Sequence, residues 1–291
     1  ITDAVNSKIE QLSRKGGGRL VIPEGHWLSG RLILKSGVDL HLDRGCTLEF
    51  SADINDYQPA LFTRHEGIEI MGAGAFIYAH KAKNIALTGQ GTVMGPPMDA
   101  GMRRLKNGNS VVERDIDHRS PVASRICDGK EGRTFYRPKS FAPIDCRNVL
   151  VEGVTFERSV LWNINPIYCE NVIIRGVTVN SEKVPSGDGI DISSCRNVLI
   201  EYSTLNCGDD CFTLKSGRAE DGIRVGRPTE NVVIRYCLAK KGHGGITCGS
   251  ETAAGIKNVY LHHCVFDGTR TGFRFKTRRN RGGGIWDITY D

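Results

Sequence analysis

The sequence predicts an all-β chain wound into a parallel β-helix, and three observations carry that prediction: a recurring asparagine, an alternating apolar run behind it, and a short repeat length. Five stretches share the pattern: Asn148-Val149-Leu150-Val151, Asn171-Val172-Ile173-Ile174, Asn197-Val198-Leu199-Ile200, Asn231-Val232-Val233-Ile234 and Asn258-Val259-Tyr260-Leu261. Their asparagines are 23, 26, 34 and 27 residues apart, lengths at which one repeat cannot bury its own apolar face and must stack on the next. The runs are β-branched, bounded by Gly, Asn, Ser and Cys, with little helical periodicity. Coils of such a solenoid stack at about 4.8 Å, so residues at equal offset lie above one another. Asparagine tolerates the left-handed conformation and its amide can bond along a ladder of turns, so these residues are expected to be structural.

The remaining elements follow in order. Residues 1–18 read as a cap: Val5, Ile9 and Leu12 recur at helical spacing behind a possible N-cap at Asp3, and Gly16-Gly17-Gly18 ends the pattern. A short amphipathic helix there covers the open end of the sheets. Residues 19–25 and 32–42 read as the first coils. Residues 95–140 break the rhythm with Pro, Gly and mixed charge and are expected to form a long loop beside the groove. Trp286, Ile288 and Tyr290 begin one more strand, so further carboxy-terminal coils are expected beyond this sequence. No Pro/Ser linker or charge block divides the 291 residues, and one β-helix domain spanning 1–291 is expected. No stretch is long and apolar enough to span a bilayer. The chain starts mid-pattern at Ile1; a secreted or periplasmic location, with any leader outside this sequence, is the expectation.

The ten cysteines fall mostly into columns. Cys146, Cys169 and Cys195 each precede a ladder asparagine by two residues, and Cys237 and Cys264 each follow one by six, which suits reduced thiols in the core. Cys207 and Cys211 flank an acidic pair. No Cys-x-x-Cys with matching His spacing is present, and His262 and His263, adjacent on a strand, are expected to face opposite sides, so no metal is predicted.

The chemistry-bearing residues also share an offset. Asp209, His243 and Arg270 each lie twelve residues after their asparagine, Asp210 follows Asp209, and Asp188 joins the column if residues 180–185 hold a five-residue bulge. Ser186-Gly187-Asp188, Gly208-Asp209-Asp210, Gly242-His243-Gly244 and Arg274-Phe275-Lys276 then stand in order. On these motifs the chain resembles the polygalacturonases of glycoside hydrolase family 28, right-handed parallel β-helix enzymes that hydrolyse pectin. The first motif departs from the family's Asn-Thr-Asp, and Phe275 replaces an isoleucine; the likeness also includes residues 34–38 and 85–91.

The resemblance implies inverting hydrolysis of α-1,4-galacturonosyl linkages, with Asp209 as the acid and Asp188 and Asp210 activating water. The residue types agree, since glycoside cleavage needs one carboxylic acid and one carboxylate, and crowded carboxylates cannot all ionise comfortably. Coil spacing alone points towards retention, because inverting pairs usually stand about 6.5–9.5 Å apart. His243 is placed to hydrogen-bond the acid. Arg274 and Lys276, two apart on a strand, project to one face and suit a sugar carboxylate; Arg270, Lys215 and Arg218 complete the candidate substrate-binding set. No cofactor is implied. The expected partner is an anionic pectic polysaccharide or oligosaccharide. A net charge of +6 would also suit nucleic acid, but no aromatic platform interleaves the basic residues and the carboxylates would repel phosphate. Alternatives are a rhamnogalacturonan or other pectin-backbone hydrolase, a polysaccharide lyase and a noncatalytic carbohydrate-binding solenoid. The coil from Asn197 to Asn231 carries about ten extra residues, in 216–228. As a loop over the groove wall they, with 95–140, would close one end and favour exo-action, with Arg218 or Arg224 near the terminal sugar.

Overall fold

Asn148, Asn171, Asn197, Asn231 and Asn258 hold the turns as their chemistry suggests, and Asn84 extends the series by one coil. All six adopt the left-handed conformation, with φ between 53° and 57°. Each Nδ2 donates to the Oδ1 of the preceding member, at 2.7 Å (Asn148 to Asn84), 3.0 Å, 3.2 Å, 3.0 Å and finally 2.7 Å (Asn258 to Asn231). The amides therefore satisfy one another where the chain enters each coil.

The structure, a computed structural model, describes residues 1–104 and 112–291. Behind the ladder lies a nine-stranded parallel sheet running from Gly18–Ile22 to Ile285–Tyr290. Register puts Val149, Val172, Val198, Val232 and Val259 in one column, and all five are buried. Each such side chain contributes about 1.5–3 kcal/mol on burial. Alternation turns Leu150, Ile173, Leu199, Val233 and Tyr260 outward along the same strands. A second face is built from strands such as Thr155–Glu157, Thr178–Ser181 and Thr204–Cys207, and a third from Lys139–Ile144, Ile190–Ser193 and Phe212–Lys215. One cluster of buried side chains runs between the faces from Val5 to Leu261. Among the described residues no helix is long and apolar enough to cross a membrane.

The amino-terminal helix Thr2–Arg14 packs Val5 and Ile9 onto the first coil. Its N-cap is Ile1 rather than Asp3; Asp3 instead lies in the first turn, where a negative charge favours the helix dipole. The 95–140 segment contains short helical turns at Gly101–Arg104 and Val112–Asp115 and the strand Ile126–Cys127; residues 105–111 lie outside the described residues. That strand pairs with an antiparallel hairpin, Leu61–His65 and Ile68–Gly72, which has no counterpart in the repeat pattern. The surplus in 216–228 is not a solvated loop. It forms the helix Ala219–Val225, whose buried Asp221 accepts hydrogen bonds from Arg125 Nη1 at 2.7 Å and from the Glu69 backbone N–H at 2.9 Å. Arg125 and the hairpin supply partners that no local pattern reveals.

All ten cysteines are free thiols, nine of them buried. His262 and His263 do not face apart: their Nδ1 atoms lie 2.9 Å from each other. The strand ends at His262 and His263 has φ 52°, so strand alternation stops between them.

Candidate active site

The site forms where the chain turns from the second face into the third. Strand Thr204–Cys207 delivers Gly208-Asp209-Asp210, and Phe212–Lys215 follows at once. The coil below supplies Asp188 ahead of Ile190–Ser193; the coil above supplies His243 within the single long strand Leu238–Gly249. Ile190 pairs with Phe212, Phe212 with Ile246 and Ile246 with Phe273. This register levels Asp209 with His243 and Arg270, as their offsets predict. Asp188 aligns with Asp210 instead of Asp209, because the turn before it holds four surplus residues rather than five. Two glycines permit the close approach: a Cβ on Gly208 would collide with the Val184 carbonyl oxygen, and one on Gly244 would lie 2.9 Å from Asp210 Oδ1.

One carboxylate oxygen from each of Asp188, Asp209 and Asp210 lies within 4.8 Å of the other two. The three differ in depth. The Asp209 side chain is 24% exposed and accepts or shares a hydrogen bond with His243 Nδ1 at 3.1 Å, whereas Asp188 and Asp210 are 5% and 1% exposed. Arg274 Nη2 donates to both oxygens of Asp210, at 2.9 and 3.1 Å, and Lys276 Nζ stands 3.7 Å from the same carboxylate. Arg274 therefore holds a carboxylate of the site, while Lys276 is half exposed at its edge. Arg270, one coil above His243, is exposed.

Beneath the three aspartates lies a layer that repeat spacing did not disclose. Lys215 Nζ is 3.2 Å from Glu251, 3.5 Å from Asp191 and 3.9 Å from Asp188, and it lies 4.5 Å above the Trp162 ring. Asp191 Oδ1 accepts a hydrogen bond from Thr213, and its Oδ2 has no partner although fully buried. Burial, together with the charges of Asp191, Asp209 and Asp210, pushes the Asp188 carboxyl well above the usual range, with Lys215 opposing. Burial likewise pushes Asp191 up to about 7. Against the penalty of burial, Lys215 and Arg218 hold Glu251 at about 2, and the surrounding carboxylates keep Lys215 charged. These shifts have separable causes: burial disfavours a carboxylate, and an adjacent cation restores it.

Lys215 and Arg218, expected to meet substrate, both point inward. Lys215 is 7% exposed; Arg218 is 6% exposed and engages Glu66 at 3.2 Å, Glu251 at 3.4 Å and Glu113 at 3.9 Å. Arg278 and Arg281 also approach Glu113, at 3.8 and 3.7 Å. Five separate segments are thereby joined into a wall beside the carboxylates. Arg224 is committed to Glu69 and Asp221. Asp191 and Thr213 could have been found from sequence only by carrying the corrected register forward, which levels them with Thr247 and Arg274. Among the described residues the three aspartates are also the cluster whose spacing a cation could bridge; the positive charge facing them here comes from Lys215, Arg274 and Lys276.

The model for glycosyl hydrolases family 28 matches residues 123–291, a stretch holding every residue of the aspartate cluster and its cations. The chain belongs to that family. Its solenoid is the right-handed parallel β-helix expected above. The family 28 chain is similar in structure to a hyperthermoactive exopolygalacturonase from Thermotoga maritima, with a TM-score of 0.90 and 36% identity over 99% of this chain and 67% of that one. It is also similar to the family 28 exopolygalacturonase of Yersinia enterocolitica, with a TM-score of 0.81 and 25% identity over 99% of this chain and 54% of that one. A probable polygalacturonase of Vitis vinifera is 28% identical over 98% of this chain and 55% of its own length. An exo-poly-α-D-galacturonosidase of Dickeya chrysanthemi is 26% identical over 94% and 49%. The family 28 chain spans about half the length of the curated relatives it matches.

Proposed function

We propose that the protein hydrolyses α-1,4-galacturonosyl linkages of polygalacturonate with inversion, working from a chain end. The observation that carries this reading is the difference in depth among three crowded carboxyls. Asp209 alone projects to the rim, where with His243 it can reach a glycosidic oxygen and donate the acid proton. Asp188 and Asp210 are recessed, leaving room for a water between them and the anomeric carbon. Close carboxyls ordinarily point to retention, in which one attacks carbon directly; here Arg274 holds Asp210 back and Asp188 is enclosed, which favours water as the nucleophile. Asp188 must be ionised to take the water's proton, so its raised pKa sets a limit on the acidic side. Lys276 and Arg270 offer the exposed cations for a sugar carboxylate.

Exo-action is supported by the wall joined at Glu113 and Arg218, beside the carboxylates, and by the likeness to exopolygalacturonases from two organisms. The substrate of this reading is an anionic pectic polymer or oligomer, and a secreted or periplasmic location belongs to the same proposal. Incubation with polygalacturonate is expected to release monomer or dimer from the first minutes, with viscosity falling slowly. A rapid early fall in viscosity with mid-sized oligomers would establish endo-cleavage and sink the exo part. Unsaturated, ultraviolet-absorbing ends would replace hydrolysis by a lyase reaction.

A further inference from the structure

One turn of the solenoid, far from the carboxylates, changes character along the axis. At the position after Thr88, Glu152 and Arg175, which are level with Glu201, Arg235 and His262, the chain places Gly89, Gly153 and Gly176, then Tyr202, Tyr236 and His263. All six have positive φ: 113°, 78° and 62° for the glycines, 52°, 53° and 52° for the others. A bulky side chain in this conformation is disfavoured where glycine is not. Core packing does not explain the exchange, for Tyr202 and Tyr236 are 58% and 44% exposed.

The two tyrosines stack instead. Tyr202 and Tyr236 are 5.3 Å apart between ring centroids and 6° from parallel, and His263 leans on Tyr236 at 5.1 Å, tilted by 45°. Tyr202 ends the stack above Gly176, where an added Cβ would meet nothing within 4 Å. The flanking polar groups are Glu152 and Arg175, 45% and 42% exposed and 3.6 Å apart; Arg175 Nε donates to Glu201 at 2.6 Å, which leaves its Nη atoms and the Glu152 carboxylate at the edge. An aromatic face beside open space, with a donor and an acceptor at its edge, suits a ring that is apolar on its face and polar round its rim. A membrane surface would ask for a far broader apolar area.

We propose that Tyr202, seated over Gly176 and backed by Tyr236 and His263, is a stacking platform for one pyranose ring of a glycan chain, separate from the carboxylate cleft. Seven residues of mostly extended chain put it roughly 20 Å from Asp209. The choice of a glycan rests on the reading of the cleft given above. The platform would hold a second stretch of the polymer and raise its local concentration at the cleft.

The test uses the full chain. In an Asp209→Asn background, retention in affinity electrophoresis is measured on polygalacturonate and on neutral galactan for the parent, Tyr202→Gly and Tyr202→Phe. Glycine fits the φ without strain, so Tyr202→Gly removes the ring and should not lower Tm. The proposal expects Tyr202→Gly to weaken retention on at least one polymer about fivefold or more and Tyr202→Phe to keep most of it. With Asp209 intact, Tyr202→Gly should hydrolyse trigalacturonate at an unchanged kcat/KM. Unchanged retention, an absence of retention in the parent, or a loss that tracks a fall in Tm overturns the platform. Ring-dependent retention by a chain that hydrolyses no galacturonan would instead refute the assigned reaction and leave the platform standing.

Discussion

Replacing Asp209 by asparagine is expected to lower kcat on polygalacturonate by about 10²–10⁴-fold while leaving KM within a factor of about two, the usual worth of a general acid. The amide keeps the shape of the side chain and can still meet His243, which stands 3.1 Å from Asp209 Oδ1, but it carries no acid proton for the leaving oxygen. Loss of kcat and kcat/KM in equal measure is the signature of a group needed only in the transition state. Steady-state kinetics on the purified variant decide the matter. Retention of more than about a tenth of the rate would move the acid role to another residue.

Lys215→Met is expected to have the largest effect on stability, about 3–5 kcal/mol at neutral pH, because it strips the counter-charge from carboxylates that are themselves buried. Glu251, Asp191 and Asp188 all lie within 3.9 Å of Lys215 Nζ. Asp188 and Asp191 are already raised, and Glu251 is held at about 2 largely by Lys215 and Arg218 against its burial. Without the ammonium, all three folded-state values rise. A carboxyl whose folded pKa exceeds its unfolded value, about 4 for Asp and Glu, stabilises the fold below that unfolded value and loses the contribution as pH rises through the folded one. Glu251, held at about 2 in the parent, is already ionised there at pH 4, so the deficit should open between about pH 2 and pH 4 and grow further towards pH 7. Denaturant unfolding of both proteins at several pH values measures it; a deficit independent of pH would mean that Lys215 acts by packing on Trp162 rather than by charge.

The parts legible in the sequence were those whose physics is local or strictly periodic. Left-handed turns and amide pairing announce themselves as asparagines, and alternation marks Val149 to Val259 as core. Asp209, His243 and Arg270 could be levelled because the coils between them hold no net surplus before the site. Asp188 was misplaced by one position, since the length of an irregular turn has no residue-level signature finer than its composition. Inward charges were the harder case: Lys215 on a strand reads the same whether it faces sugar or a buried glutamate. The hairpin 61–72 and helix Ala219–Val225 depend on contacts such as Arg224 with Glu69, which no repeat connects.

In the proposed reaction, recessed Asp188 and Asp210 present a water to the anomeric carbon while Asp209 protonates the leaving oxygen. Its most direct test is proton NMR of the anomeric signals during the first turnovers on a short α-1,4-galacturonate oligomer, before mutarotation equilibrates the new reducing end. A water delivered from the face opposite the leaving group inverts the centre, so the first product should be the β-anomer. Initial release of the α-anomer would show that one of these carboxylates attacks carbon itself, and would contradict the account.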